Sequence, residues 1–94
     1  MIEITKVTLY PFEQEGTREK PSNLLAYADI ILNHVLLIKG FKIFRSRSGG
    51  LFIGFPAQKG KNGQYFEQIV PLTKELKTIF RDKIIEAYKN DSLT

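Results

Sequence analysis

Apolar and polar positions alternate along the first half of the chain and recur at helical spacing near its end. Between residues 2 and 12, Ile2 and Ile4 hold one phase of a two-residue alternation, while Val7 and Leu9 hold the other. This predicts an N-terminal strand with a bulge near Thr5-Lys6. Pro11 closes that strand or places it at a sheet edge. Residues 13–23 show no periodicity and mix charges with glycine and proline, which predicts a long exposed loop. Two runs rich in Ile, Leu, Val and aromatics follow, 24–32 and 35–45. Only Asn33-His34 separates them, a connection suited to a tight hairpin. Gly40 inside the second run marks a bulge or a close backbone approach. Beyond it, Phe41, Ile43 and Arg45 share one face, and Lys42 and Phe44 the other.

The glycine-rich turn Ser46-Arg47-Ser48-Gly49-Gly50 leads into Leu51-Phe52-Ile53-Gly54-Phe55-Pro56. Leu51, Ile53 and Phe55 point one way and Phe52 the other, a density of apolar residues expected of a covered central strand. Asn62-Gly63 is a strong turn signal and should fold residues 65–70 back beside the preceding strand. Pro71 ends that strand. Thr73 suits a helix N-cap, and no Gly or Pro follows it, so a helix is expected over about 74–89. Steps of 100° bring Leu72, Leu76, Ile79, Phe80, Ile84 and Ala87 into an arc of about 140° that should pack on the sheet. Lys74, Lys77 and Arg81 run along one flank of that arc, and Glu75, Asp82 and Glu86 along the other. Lys83 falls inside the arc and Ile85 points outward. The sum is an α+β fold in a single domain over residues 1–94: an antiparallel meander of about five strands with a C-terminal amphipathic helix.

Composition adds a core and a field. The 94 residues are 43% apolar and 26% charged, enough for a packed interior in a chain short enough to profit from a partner copy. A homodimer is therefore expected. Cysteine is absent, which excludes disulfides and thiolate metal sites. Met1-Ile2-Glu3-Ile4 lacks a basic leader followed by a long apolar stretch, and the apolar run 30–38 is broken by Asn33-His34. A cytoplasmic protein with no membrane attachment is expected. The net charge is +4. From Ile30 to Phe66 there is no acidic residue, while Lys39, Lys42, Arg45, Arg47, Lys59 and Lys61 all lie there. Such a field draws polyanions over about 8 to 10 Å at physiological salt and is the footprint of a nucleic-acid binder. A solvated basic face without a ligand is the plainer alternative.

The candidate contacts are cations on rigid supports. Lys74, Lys77 and Arg81 form a ridge on the helix, and Arg45, Arg47, Lys59 and Lys61 lie on turns that would flank it. Tyr65, beside the basic hairpin tip, is the candidate for stacking on a base, whereas the phenylalanines are expected in the core. Catalysis finds no support. His34 is the only histidine and has no acid or base neighbour in sequence. The serine-glycine turn lacks the Gly-x-Ser-x-Gly pattern, and neither phosphate-binding glycine fingerprint is present. Asp82 with Glu86 is too sparse for a metal. No enzyme activity, catalytic residue, cofactor or metal is expected.

Taken in order, these pieces resemble the bacterial septation protein SpoVG family. The resemblance rests on Ile4-Thr5-Lys6-Val7-Thr8-Leu9, the Asn33-His34 turn, Phe41-Lys42-Ile43 and Gly50-Leu51-Phe52-Ile53-Gly54-Phe55-Pro56. It continues through the basic hairpin with Gly63, the strand ending at Pro71 and the helix ending near Tyr88. It implies a small homodimeric α+β protein that binds DNA, and in some members RNA, as a regulator linked to septation and sporulation. Family members carry basic residues early in the C-terminal helix. Matched from Pro71, Lys77 falls on one such position and Ile79 on the next, while Lys59 takes a basic hairpin position preceded by Gln58. DNA ranks ahead of RNA as the expected partner. The alternative is a protein-interaction module that docks through a strand edge or through Ile85, without direct nucleic-acid contact.

Overall fold

Asn33 and His34 both adopt positive φ, 50° and 62°, the pair of left-handed residues that matches a two-residue hairpin to the twist of its strands. Around this turn the apolar runs pair in chain order. The computed structural model describes residues 1–11 and 23–92, so the loop expected over 13–23 falls, except for Asn23, outside the described residues. Strands β1 (Ile4–Pro11), β2 (Leu24–Leu32), β3 (Leu36–Arg45) and β4 (Leu51–Gly54) form one antiparallel sheet in the order β1-β2-β3-β4. Strands β5 (Ala57–Lys59) and β6 (Tyr65–Glu67) pair only with each other as a separate arm, and helix α1 (Lys74–Ser92) follows. The fold is α+β, with four strands in the meander instead of about five.

The expected bulge in β1 is present, a register shift between Ile4 and Lys6. It frees Thr5 to serve the hairpin turn: its hydroxyl donates to the Ile31 carbonyl at 3.1 Å and accepts from the His34 N–H at 3.0 Å. Asn33 and Glu3 complete the closure, each backbone N–H of the pair finding an oxygen of the other residue at 2.8 Å. Gly40 forms the second bulge, at φ 98°, where the register slips between Ala28 and Ile30.

One face of the sheet is the core. Ala26, Ala28, Ile30 and Leu32 of β2 are buried with Phe41 and Ile43 of β3, and Phe80 and Ile84 of α1 close over them. Phe41 stands opposite Ala28 in the register, so a small residue faces a large one and the ring fits without displacing its neighbour. Phe41, Phe55 and Phe80 pack edge to face or tilted, with centroids 5.3, 6.0 and 5.8 Å apart, geometry that adds to their area burial.

Three expectations are corrected. The segment 51–55 is not a central strand, because β4 lies at the sheet edge. Its apolar density has another cause: Ile53 packs toward the core, while Phe52 stacks on Phe44 on the opposite face, with centroids 5.1 Å apart. The helix seam is also narrower than the arc. Leu76, Phe80, Ile84 and Tyr88, four apart, pack inward, whereas Ile79 is exposed and Leu72, ahead of the N-cap, is 92% exposed. Ile85 is half-buried. The return strand expected over 65–70 is shorter, Tyr65–Glu67, and it pairs with β5 and not with β4.

The face away from the helix carries one buried charge. Asp29 is 8% exposed, and its carboxylate accepts from the Gly40 N–H at 3.4 Å and from the Tyr10 phenol. That hydrogen bond, then the carboxylate's charge and partial burial, raise the Tyr10 pKa above its ordinary value. A raised folded-state pKa means the bond stabilises the fold up to about pH 10 and is lost as pH climbs through the higher folded value. Carbon-13 titration of the tyrosine rings should therefore show Tyr10 ionising late, and Asp29→Asn should bring it back toward ordinary. An unchanged midpoint in the variant would contradict the bond.

Candidate nucleic-acid interface

Thr73 sets the phase of the site. Its hydroxyl accepts from the Leu76 N–H at 3.2 Å, an N-cap worth about 1 kcal/mol. With the helix anchored there, the seam residues turn inward and Lys74, Lys77 and Arg81 fall on the flank beside β4. They meet Thr78, Phe52, Ile53 and Phe55 around an open slot of about 340 Å³ between the edge strand and the first half of α1. Phe55 is buried, Ile53 is half-buried, and Phe52 is 46% exposed at the strand edge. The slot thus has an apolar base and a cationic wall, and no carboxylate lines it.

Arg81 is partly engaged. Its Nε donates to Asp82 Oδ1 at 3.2 Å, with the two side chains 53% and 61% exposed. An ion pair this open to water contributes little, and it leaves the terminal NH2 groups of the guanidinium out of the bond. Low-dielectric walls beside three cations strengthen the field felt by an anion that enters.

The remaining sequence-predicted residues lie outside the slot. Lys59 and Tyr65 face each other across the arm as a cross-strand pair, and all residues of both its strands are exposed, Tyr65 at 67%. Lys61 and Asn62 form the corner. Gly63 follows them at φ 84°, and the Gly60 N–H donates to Gln64 O at 2.6 Å. Asn62-Gly63 therefore does not form the corner itself, since only its glycine takes positive φ among these residues. Arg45 ends β3 opposite Leu51, and Arg47 sits in the turn between β3 and β4, both exposed. The structure thus joins Lys74, Lys77 and Arg81 at one concavity, and it sets Arg45, Arg47, Lys59, Lys61 and Tyr65 outside it.

Phe52 and Thr78 are site residues the sequence did not single out. Phe52 borders the slot only from the strand edge, because its ring stacks on Phe44 on the face away from the helix. Among the described residues no cluster of three or more His, Asp or Glu side chains could hold a metal, and no helix is long and apolar enough to cross a membrane.

The chain matches the SpoVG family model over residues 2–90. It is 33% identical over 86 residues to a protein of Myxococcus xanthus, covering 92% of this chain and 79% of that one. It is 29% identical over 90 residues to one of Bdellovibrio bacteriovorus, covering 96% and 76%. A protein of Archaeoglobus fulgidus is 26% identical over 89 residues, covering 95% and 96%. All three carry the name "Putative septation protein SpoVG".

Proposed function

The chain belongs to the SpoVG family, and from that membership and the geometry of the slot we propose that it is a nucleic-acid-binding regulator acting by binding alone. The carrying observation is the convergence of Lys74, Lys77 and Arg81 on one concavity without a carboxylate among its lining residues. Neutralising a phosphate releases condensed counterions, so cations held together on a helix favour a polyanion over scattered single charges. The exposed arm and the turn with Arg47 supply further cations for phosphates beyond the slot. DNA ranks ahead of RNA. The names of the relatives point the regulation toward septation, with sporulation-type control as its extension, in the cytoplasm.

The reading includes a homodimer. On the face away from the helix, the register sets Tyr10 opposite Tyr27 and Phe44 opposite Phe52, with Tyr10 and Phe52 about half exposed. Both strands of the arm are exposed as well. A second copy of the chain would cover both. Sedimentation velocity at micromolar concentration should show a dimer, and a monomer there would refute this part.

β4 pairs on one side only, with β3, and this open edge favours a second reading, a protein partner added as a strand. Titration of a labelled oligonucleotide with purified protein at about 50 mM salt separates the two. Saturable binding is expected. Its absence at low salt, with a protein partner captured from nuclease-treated lysate, would replace the first reading with the second.

A further inference from the structure

We propose that the arm of a second copy lies along the open edge of β4 and completes the slot, so that the nucleic-acid surface is built from two chains; this rests on the nucleic-acid and homodimer readings above. Edge and arm each lack a neighbour. β4 pairs on one side only, and each strand of the arm likewise has one free edge. Such edges accept a further strand. A two-stranded hairpin is marginal by itself in water, and every residue of β5 and β6 is exposed. β4 is four residues long and the strands of the arm are three each, so the arm matches β4 along most of its length. Because the arm follows β4 in the chain, a two-fold arrangement lets each copy give its arm to the other and leaves neither β4 edge open.

Side-chain phase and charge select this occupant. The register puts Lys59 with Tyr65 and Ala57 with Glu67 on one face of the arm, and Gln58 with Phe66 on the other. Phe66 is engaged at its own corner, its ring lying so close over Gly60 that a Cβ there would collide with it. Tyr65 is 67% exposed, and the slot offers its ring the apolar side chains of Ile53 and Phe55. Glu67 shares the Tyr65 face and is exposed, and it supplies the carboxylate that the wall of Lys74, Lys77 and Arg81 lacks. One carboxylate against three cations leaves the wall positive. The same arm brings Lys59 and Lys61 beside that wall, so cations that lie outside the slot of their own chain join the slot of the other and extend the track for phosphates.

The chain contains neither tryptophan nor cysteine, so a reporter and a quencher can be placed one per copy. Tyr65→Trp supplies the reporter in one copy, and a nitroxide on Lys77→Cys supplies the quencher in the other. Thr78→Cys gives a second quencher position should the first disturb the fold, which far-UV circular dichroism checks. Copies refolded together should show quenched emission, while the reporter copy alone emits fully. A second mixture tests the shared surface. The Lys59/Lys61 to alanine variant should bind an oligonucleotide about tenfold more weakly than the parent, and the Lys74/Lys77/Arg81 to alanine variant more weakly still. Refolded together, the two should yield dimers that bind as the parent does, because each mixed dimer unites one intact wall with one intact arm.

A dimer by sedimentation whose reporter is quenched from neither position overturns the arm exchange, gives the β4 edge to a strand of another protein, and leaves the nucleic-acid and homodimer readings standing. A monomer overturns the exchange together with the homodimer. A mixture that binds no more tightly than its two components, while the parent binds well, overturns the shared surface and spares the nucleic-acid reading. A parent that binds no oligonucleotide overturns both.

Discussion

Replacing Lys74, Lys77 and Arg81 together by alanine will lower nucleic-acid affinity on the order of a hundredfold at about 0.15 M salt. The figure follows from counterion release. Three phosphates contribute about 2 to 3 units of slope in the logarithm of affinity against the logarithm of salt, and that contribution falls toward zero near about 1 M. Each side chain lies on the exposed flank of α1, away from the seam of Leu76, Phe80 and Ile84, so the fold should survive the change. Alanine is also the best helix former, and the variant's melting temperature should stay within a few degrees of the parent. Direct titration of a labelled oligonucleotide reads the loss. The pairing of Arg81 with Asp82 argues for unequal shares, Arg81 giving the smallest single effect because its guanidinium must divide itself between the carboxylate and a phosphate.

The largest effect on stability belongs to Phe41. It is wholly buried, stands opposite Ala28, and makes ring contacts with both Phe55 and Phe80. Truncation to alanine removes its burial, leaves a cavity, and strips two rings of an edge-to-face partner. Such deletions cost about 3 to 5 kcal/mol, against a total of about 5 to 15 kcal/mol for an ordinary domain. Neighbours cannot close the gap easily, since the register fixes Phe41 on a sheet whose backbone does not slide. Urea unfolding should show a much lower midpoint with nearly the parent's slope. Phe66→Ala makes the control: this ring is 53% exposed on the arm, and its loss should cost less than about 1 kcal/mol. Equal costs at the two positions would refute the core described above.

The sheet was legible because its signals are local. Alternation, the Asn33-His34 turn and the glycine at the β3 bulge each depend on a few neighbouring residues, and each settles into the structure as its chemistry requires. The order of strands at the edge was not. Apolar residues on both faces of 51–55 are what a central strand would show, yet Phe52 finds its partner in Phe44 alone, and no local pattern distinguishes one neighbour from two. The helical wheel likewise could not know the width of the surface beneath it. A four-stranded sheet with α1 spanning from β1 to β4 offers a seam one residue wide at i, i+4, so Ile79 remains outside. For the site, the spacing of Lys74, Lys77 and Arg81 placed them on one flank. That the flank borders a cavity instead of crowning a ridge depends on β4 ending beside it, a tertiary fact no spacing encodes.

The central claim is that these three cations, gathered at the slot, bind phosphate. The most direct test is the salt dependence of oligonucleotide affinity, measured between about 50 and 200 mM salt for the parent and for the Lys74/Lys77/Arg81 to alanine variant. The slopes should differ by about 2 to 3, the parent's being the steeper. Identical slopes, or a parent that binds no oligonucleotide at the lowest salt, would contradict it.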